Sequence, residues 1–222
     1  MTRRSDAPRA LVVAKAPVAG RVKTRLGAEV GDAVAAEVAA AALLDTVAAC
    51  REAFGADHCL LALAGDLADA ARGDEIAGAL AGWGVSRQRG LTFDERLANA
   101  HLDVPPGGPV VQVGMDTPQV TVGDLHAVVA ALDTHDAVLG PAEDGGWWVL
   151  GLRDPRGAAA LRGVPMSTPT TYADTRRALS GAGLGVGTTA PLRDVDTATD
   201  ADVVAGAAPA GEFARAWREV RA

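Results

Sequence analysis

Hydrophobic residues occur along this chain in short runs that alternate with longer segments of helical character. Residues 10–14, 59–64, 110–113 and 137–140 form runs that are largely apolar, as is typical of strands buried on both faces of a parallel sheet. Between these runs, residues 32–54 are rich in alanine, which favours a helix. The alternation predicts an α/β fold with a mostly parallel, doubly wound sheet that is flanked by helices.

The same patterns assign most of the remaining chain. Thr197 is followed three residues later by Asp200, a spacing typical of a capping box at the start of a helix. The tail at residues 212–222 has helical character and is expected to be peripheral. Further strands are predicted at residues 85–89 and 147–152, and further helices at 67–83, 93–102, 122–133 and 170–179.

Charge and composition exclude several classes of partner. The net charge is −7 and no basic run occurs beyond the first loop, which argues against nucleic-acid binding. Residues 1–8 lack the apolar segment of a signal peptide, and no apolar run reaches the length of a membrane span. We therefore expect a cytoplasmic protein without a membrane partner. Cys50 and Cys59 are expected in the core, and the four histidines in surface or hydrogen-bonded positions.

Cations are concentrated directly after the first predicted strand. Residues 15–26 are expected to form a loop because Pro17 and Gly20 break regular structure. Such dense positive charge in an acidic chain favours a diphosphate or nucleotide site, although a solvated basic loop is the alternative. The glycine patterns of a Walker loop and of a dinucleotide fingerprint are absent from this segment. We assign phosphate binding to Lys15, Gly20, Arg21, Lys23 and Arg25.

Three aspartates are candidates for binding a metal ion. Asp116 follows the strand at residues 110–113, and ligands of open α/β sheets bind at the carboxyl ends of strands. Asp194 and Asp196 are two residues apart, so both carboxylates face the same way if their segment is extended. Carboxylates without nearby His or Cys suit Mg²⁺ or Mn²⁺. The alternative is that these residues cap helices or turns.

A second acidic motif runs from residue 143 to residue 148. Asp144 could orient or deprotonate an acceptor hydroxyl group as the catalytic base. Gly145 and Gly146 would allow close approach of a ligand to the backbone. Trp147 or Trp148 could stack on a sugar ring while the other points into the core, because adjacent strand residues face opposite ways. Burial of both tryptophans in the core is the alternative.

These segments together resemble a known bacterial family. The chain contains AKAPVAGRVKTRL, GMDTP, GPAEDGGWWVLGL and DVDTATD in this order, as in a family of small proteins assigned as glycosyltransferases (DUF2064). Some of its members are linked to arsenosugar biosynthesis. The resemblance extends from about residue 11 to residue 200 and implies the GT-A fold of nucleotide-diphospho-sugar transferases. The chain is also similar to the 2-phospholactate guanylyltransferases of coenzyme F420 synthesis.

The resemblance implies roles for the same side chains. It gives the four cations of the first loop to nucleotide phosphates, and Asp116, Asp194 and Asp196 to metal. Many GT-A enzymes carry an Asp-x-Asp metal motif, but here Gly114 stands at its first position. One domain is expected over residues 1–222, with a nucleotide-binding half at about 10–115 and a metal and acceptor half at about 116–205. Residues 206–222 would form a peripheral C-terminal helix.

Three functions remain open from the sequence. The first is transfer of a sugar from a nucleotide-diphosphate sugar to a small-molecule acceptor, assisted by Mg²⁺ or Mn²⁺. The second is nucleotidyl transfer to a phosphorylated small molecule with release of pyrophosphate. The third is binding of a nucleotide sugar without catalysis. The tryptophan pair beside Asp144 favours the first, because stacking suits a sugar ring.

Overall fold

Seven strands form one sheet in the computed structural model, which describes residues 7–222. The predictions made for residues 1–6 therefore lie outside the described residues. The strand order in the sheet is β3-β2-β1-β4-β6-β5-β7. The strands are β1 (Arg9–Lys15), β2 (Cys59–Ala64), β3 (Gly84–Arg87), β4 (Val110–Val113), β5 (Ala137–Pro141), β6 (Trp147–Leu152) and β7 (Val186–Thr188).

Eight α-helices connect or cover these strands within residues 7–222. Short 3₁₀ helices occur at Ala56–His58, Leu67–Asp69 and Pro155–Leu161. The α-helices are α1 (Thr24–Val30), α2 (Asp32–Phe54), α3 (Gly73–Ala79), α4 (Phe93–Asp103), α5 (Val122–Ala131), α6 (Thr171–Gly181), α7 (Ala198–Ala207) and α8 (Glu212–Arg221).

The sheet is mostly parallel, as predicted. β1 pairs in parallel with β2 and β4, β2 pairs in parallel with β3, and β5 pairs in parallel with β7. β6 runs antiparallel to both of its neighbours, β4 and β5. The reason is local, because residues 142–146 between β5 and β6 are too few for a crossover and close a hairpin instead.

Apolar side chains pack on both faces of the sheet. On one face, the core includes residues of α2, α3 and α5, with Leu43 and Leu125 fully buried. On the other face, α4 and α6 cover the sheet through residues such as Leu97 and Leu179. Helices on both faces explain why the central strands read as continuous apolar runs in the sequence.

The long helix α2 is apolar around most of its circumference because it packs on two sides. One side faces the sheet, and the other packs against α8, where Phe213 and Trp217 are buried. By length and composition alone, Asp32–Phe54 could cross a membrane, so the expectation that no apolar segment reaches that length was wrong. Two thirds of its most apolar window is buried inside the protein, as in the core helix of a folded domain.

Several element boundaries differ from the prediction. Residues 15–26 are not all loop, because α1 begins at Thr24 and buries Leu26. The segment predicted as a helix at residues 67–83 contains a 3₁₀ turn followed by the short helix α3. Strand β7 and the 3₁₀ helix after Pro155 had no counterpart in the prediction. The capping box of α7 is confirmed, because Thr197 Oγ1 accepts a hydrogen bond from the Asp200 backbone N–H at 3.2 Å.

Gly140 in β5 is required by the packing of the hairpin that follows it. A Cβ atom there would lie 2.5 Å from Trp148 Nε1 and 2.6 Å from Val149 Cγ1. We expect Gly140→Ala to lower the free energy of unfolding by about 1–3 kcal/mol, as overpacking does. Gly206→Ala is the control, because a Cβ atom in that helix meets nothing within 4 Å. Urea denaturation should show it to be neutral or stabilising by up to about 1 kcal/mol.

Candidate functional site

A cleft opens at the carboxyl ends of β1 and β4, in the middle of the sheet. The chain leaves β1 towards β2 on one side, whereas β4 is followed on the other side by β5 and β6. Loops that diverge in this way leave a crevice between them. The cleft contains two adjoining cavities of about 530 Å³ and 440 Å³. Both are lined by Val13, Arg25, Phe93, Asp116, Ser167 and Asp196.

The cavity of about 530 Å³, here called the cationic cavity, is lined by the positive side chains of the first loop. Lys15 and Arg21 are exposed at its edge, and the Arg25 side chain is 77% exposed. Gly20 does not line this cavity. It has a φ of 73° and shapes the turn before Arg21, a conformation that suits glycine. The cavity is lined by the basic residues Lys15, Arg21, Lys23, Arg25 and Arg96.

Lys23 differs from the other cations because its side chain is buried. It is only 5% exposed, and the residue adopts a φ of 47° directly before α1. Its Nζ lies 2.5 Å from Asp116 Oδ1 and 3.8 Å from Asp196 Oδ1. It also donates a hydrogen bond to the backbone oxygen of Val195. Lys23 therefore joins the first loop to two of the predicted metal ligands.

The second cavity, here called the acidic cavity, is lined by Asp116, Asp144, Asp194 and Asp196. The backbone N–H of Val195 donates to the Asp116 backbone oxygen at 2.9 Å, which holds residues 194–196 beside the end of β4. Burial raises the pKa of Asp194 to about 7, and the negative charges of Asp116 and Asp144 contribute to this rise. Asp194 Oδ1 is buried without a hydrogen-bond partner. The sequence prediction that these carboxylates meet is thus consistent with the geometry.

The hairpin between β5 and β6 carries Asp144 into the acidic cavity. The carboxylate is exposed, and its Oδ1 accepts a hydrogen bond from the Gly146 backbone N–H at 2.8 Å. Gly145 does not line the cavity. Its φ is 91°, and a Cβ atom there would collide with the backbone oxygen of Pro169. The close approach that requires Gly145 is therefore to the protein's own backbone, whereas Gly146 lines the cavity.

The two tryptophans point to opposite faces of the sheet. Trp148 is 3% exposed, and its indole N–H donates to the Ala190 backbone oxygen at 2.9 Å. Trp147 is partly buried and its indole N–H donates to Thr175 Oγ1 at 3.2 Å. Both residues line the acidic cavity, and Trp147 retains the more accessible ring. Trp147 is therefore the better candidate for stacking on a ligand.

Sequence reasoning missed several residues of the cleft. The Arg96 guanidinium lies 5.4 Å from the centre of the Phe93 ring, and its Nε is buried without a partner. Gln112 is buried and lines the acidic cavity, and its Oε1 lies 2.8 Å from Nε2 of the buried His101. A polar residue inside an apolar strand run was the available signal for Gln112. Arg96 lies in an amphipathic helix, where charged residues on the polar face are usual and do not indicate a binding site.

The predicted metal ligands lie together without forming a ready-made metal centre. Among residues 7–222, no group of three or more His, Cys, Asp or Glu side chains is arranged to hold an ion. Mg²⁺, however, commonly takes only one or two carboxylates and completes its shell with water and phosphate oxygens. The buried, unpartnered Asp194 Oδ1 is an oxygen of the kind that such an ion requires. The residues present therefore fit a hard divalent cation, provided that Lys23 moves.

The family model described as "Uncharacterized protein conserved in bacteria (DUF2064)" matches residues 46–168, which is more than half of the chain. The chain belongs to this family. The matched segment contains Asp116 and Asp144 but neither the first loop nor residues 194–196. No curated protein matches the chain.

Solved structures support the fold over nearly the whole length. A protein from Desulfovibrio desulfuricans G20, described as a nucleotide-diphospho-sugar transferase, is 25% identical with a TM-score of 0.82. The alignment covers 98% of this chain and 94% of that chain. This likeness extends to the segments that the family model leaves unmatched, and these supply the cations and two of the aspartates.

Two more distant structures share the fold. Rv0371c from Mycobacterium tuberculosis H37Rv, solved with manganese, is 19% identical with a TM-score of 0.53, and the match covers 89% of this chain and 97% of that one. The 2-C-methyl-D-erythritol 4-phosphate cytidylyltransferase of Thermus thermophilus is 16% identical with a TM-score of 0.53, covering 97% and 100%. The fold is therefore one that sugar-transferring and nucleotidyl-transferring proteins share.

The raised pKa of Asp194 has a consequence for stability. Because its pKa in the folded protein is about 7 against an ordinary value of 3.8, the folded state binds more protons than the unfolded state between these values. Stability should therefore fall as the pH rises from about 4 to about 7. We expect Asp194→Asn, in a chelator, to raise the free energy of unfolding above pH 7 by at most about 4 kcal/mol, since one pKa unit corresponds to about 1.36 kcal/mol.

Denaturant titrations from pH 4 to pH 8 measure this effect. Asp133→Asn is the control, because Asp133 is exposed and lies in the turn after α5, away from the cleft. A variant less stable than the wild type at every pH would contradict the expectation. It would mean that the attraction between Asp194 and Lys23 outweighs the cost of burying the carboxylate.

Proposed function

We propose that this protein is a glycosyltransferase that moves a sugar from a nucleotide-diphosphate sugar to a small-molecule acceptor. The observation that supports this is the division of the cleft into a cationic cavity and an acidic cavity that meet at Asp116 and Asp196. A nucleotide sugar has the same polarity, with an anionic diphosphate at one end and a neutral ring of hydroxyl groups at the other. We place this enzyme in the cytoplasm.

In this proposal the cationic cavity binds the diphosphate. Lys15, Arg21 and Arg25 are exposed and able to close around phosphate oxygens, and arginine offers paired N–H groups for them. Negative charge develops on the diphosphate as the bond to the sugar breaks, so these cations favour its departure. Gly20 contributes indirectly, through the turn that presents Arg21.

The metal belongs on the boundary between the cavities. Asp116, Asp194 and Asp196 would hold Mg²⁺ or Mn²⁺, since oxygen ligands select hard cations over zinc. When bound, the ion would neutralise part of the charge on the diphosphate. The manganese in the Rv0371c structure is consistent with this choice.

The acidic cavity binds the sugar and the acceptor. Trp147 offers a ring face to the sugar, and Gly146 leaves space beside it. Asp144 accepts the proton of the acceptor hydroxyl group as it attacks the sugar, and the Gly146 N–H holds the carboxylate in place at 2.8 Å. Gly145 supports this geometry by allowing the hairpin to pack against Pro169.

Nucleotidyl transfer with release of pyrophosphate is the second candidate. The observation that favours it is the number of cations, since Arg96 adds a fifth positive side chain to the cationic cavity. Five cations suit a triphosphate as well as a diphosphate, and the cytidylyltransferase shares the fold. Incubation with nucleotide sugars and with nucleoside triphosphates separates the two, because only the second releases pyrophosphate. Absence of turnover with both, despite binding, would indicate a binding protein without catalysis.

Replacing Arg21 tests the donor site. We expect Arg21→Ala to weaken binding of a nucleoside diphosphate by about 1.5–3 kcal/mol, the usual contribution of a hydrogen bond to a charged group. Arg218→Ala is the matched control, because Arg218 lies on α8, outside both cavities. Isothermal titration calorimetry on both folded variants measures the difference. Equal affinities would place the phosphates elsewhere.

Replacing Asp144 tests the acceptor side. Asp144→Asn keeps the size of the side chain and its hydrogen bond from Gly146 but removes the base, so turnover should fall by about 10²–10⁴-fold. Donor affinity, measured separately by calorimetry, should change by less than about threefold. Loss of donor binding with normal turnover at saturating donor would assign Asp144 to the donor instead.

A further inference from the structure

We propose that the Lys23 ammonium group is a built-in cation that occupies the carboxylate site and must leave it before a divalent metal ion binds. The inference rests on the metal assignment within the proposed function. It adds that metal and donor bind cooperatively, because the group that the metal displaces is one that the donor's phosphates attract.

The burial of Lys23 distinguishes it from its neighbours in the first loop. The Lys23 side chain is 5% exposed, whereas that of Arg25, two residues later, is 77% exposed. A lysine is rarely buried without partners that compensate its charge. The left-handed backbone at Lys23, with φ at 47°, is uncommon for a residue with a side chain. The loop thus adopts an unfavourable conformation that directs this ammonium group inward.

The contacts of Nζ resemble those of a bound cation. It lies 2.5 Å from Asp116 Oδ1 and 3.8 Å from Asp196 Oδ1, and it donates to the Val195 oxygen. Two carboxylate oxygens and one carbonyl oxygen are ligands that Mg²⁺ or Mn²⁺ would also use. Two cations cannot share these oxygens at such distances, because their repulsion would be strong in a half-buried site. Lys23 and the metal ion must therefore compete.

The Lys23 ammonium group can move from the carboxylates into the cationic cavity. It lines the cationic cavity together with Lys15, Arg21 and Arg25, and its four-carbon side chain allows Nζ to move by several ångströms. A diphosphate in that cavity would attract the ammonium group away from Asp116. Donor binding would then free the carboxylates for the metal, and metal binding would release Lys23 for the donor. Such coupling is reciprocal by thermodynamic necessity.

Titration with Mn²⁺ alone tests the competition. Electron paramagnetic resonance measures the concentration of free Mn²⁺ in the absence of nucleotide. The proteins compared are the wild type, Lys23→Met, Lys23→Gln and Lys23→Arg. We expect Lys23→Met and Lys23→Gln to bind Mn²⁺ at least tenfold more tightly than the wild type. Lys23→Arg keeps the charge and should bind as weakly as the wild type. Thermal unfolding in the presence of a chelator identifies any variant that fails to fold. The test needs only one folded neutral variant, either Lys23→Met or Lys23→Gln.

Two controls identify the site and the cause. Arg25→Met removes a positive charge that also contacts Asp196, at 3.2 Å, but from an exposed position. It should change Mn²⁺ affinity less than threefold. Adding Asp116→Asn to Lys23→Met should abolish the gained affinity. Equal gains for Arg25→Met and Lys23→Met, or no gain for the neutral Lys23 variants, would overturn the proposal.

Uridine, guanosine and cytidine diphosphates, added in turn, test the coupling. The diphosphate that binds should raise the Mn²⁺ affinity of the wild type at least tenfold and that of Lys23→Met by less. An equal rise in both proteins would overturn the role of Lys23 and leave the proposed function intact. Absence of Mn²⁺ binding in all proteins, with sugar transfer continuing in chelator, would overturn the metal assignment and this inference but not glycosyl transfer.

Discussion

The parallel pairing of β1 with β4 is the constraint on which the rest of the site depends. Arg9 pairs with Val110 and Val12 with Val113, so the two strands end at the same edge of the sheet. The connections that leave them diverge to opposite sides. The first loop and Asp116 are therefore placed face to face by backbone hydrogen bonds, although more than ninety residues separate Lys23 from Asp116. The cations and the carboxylates meet because the sheet brings their strands together.

Electrostatics then determines what this edge of the sheet can bind. Four carboxylates line one cavity in a chain that is already acidic, and their repulsion contributes to the raised pKa of Asp194. Such an arrangement is unfavourable unless a cation compensates it. Lys23 provides part of this compensation from within the chain. The remaining imbalance, with Asp194 Oδ1 lacking a partner, is the physical reason to expect an external cation.

The fold was largely predictable because its central strands are buried on both faces. Runs such as Cys59–Ala64 cannot be mistaken for surface segments, and the alternation with alanine-rich helices specifies a parallel sheet. The antiparallel β6 was not predicted, although the five residues between β5 and β6 exclude a crossover. The antiparallel orientation of β6 follows from the length of the connecting segment and not from the apolar pattern of the strands.

The candidate site was predictable as a list of residues but not as a set of contacts. Asp116, Asp144 and the basic loop were identified by their position relative to strands, which local sequence reveals. The collision between a Cβ atom at Gly145 and the Pro169 oxygen depends on residues far along the chain, so its structural reason was hidden. The same holds for Lys23, since four cations in a loop look equivalent until burial distinguishes one of them.

The two candidate reactions require the same interactions in the cationic cavity but different ones in the acidic cavity. In both reactions, negative charge accumulates on a departing phosphate group. The cations of the first loop would stabilise this charge whichever bond breaks. The reactions differ in the nucleophile. An acceptor hydroxyl group is neutral and needs a base such as Asp144 to take its proton, whereas a phosphorylated acceptor attacks through an oxygen that is already anionic and needs no base. The exposed Asp144 carboxylate, the one acid of this cavity not assigned to the metal ion, therefore suits a neutral acceptor, as the proposed glycosyl transfer requires.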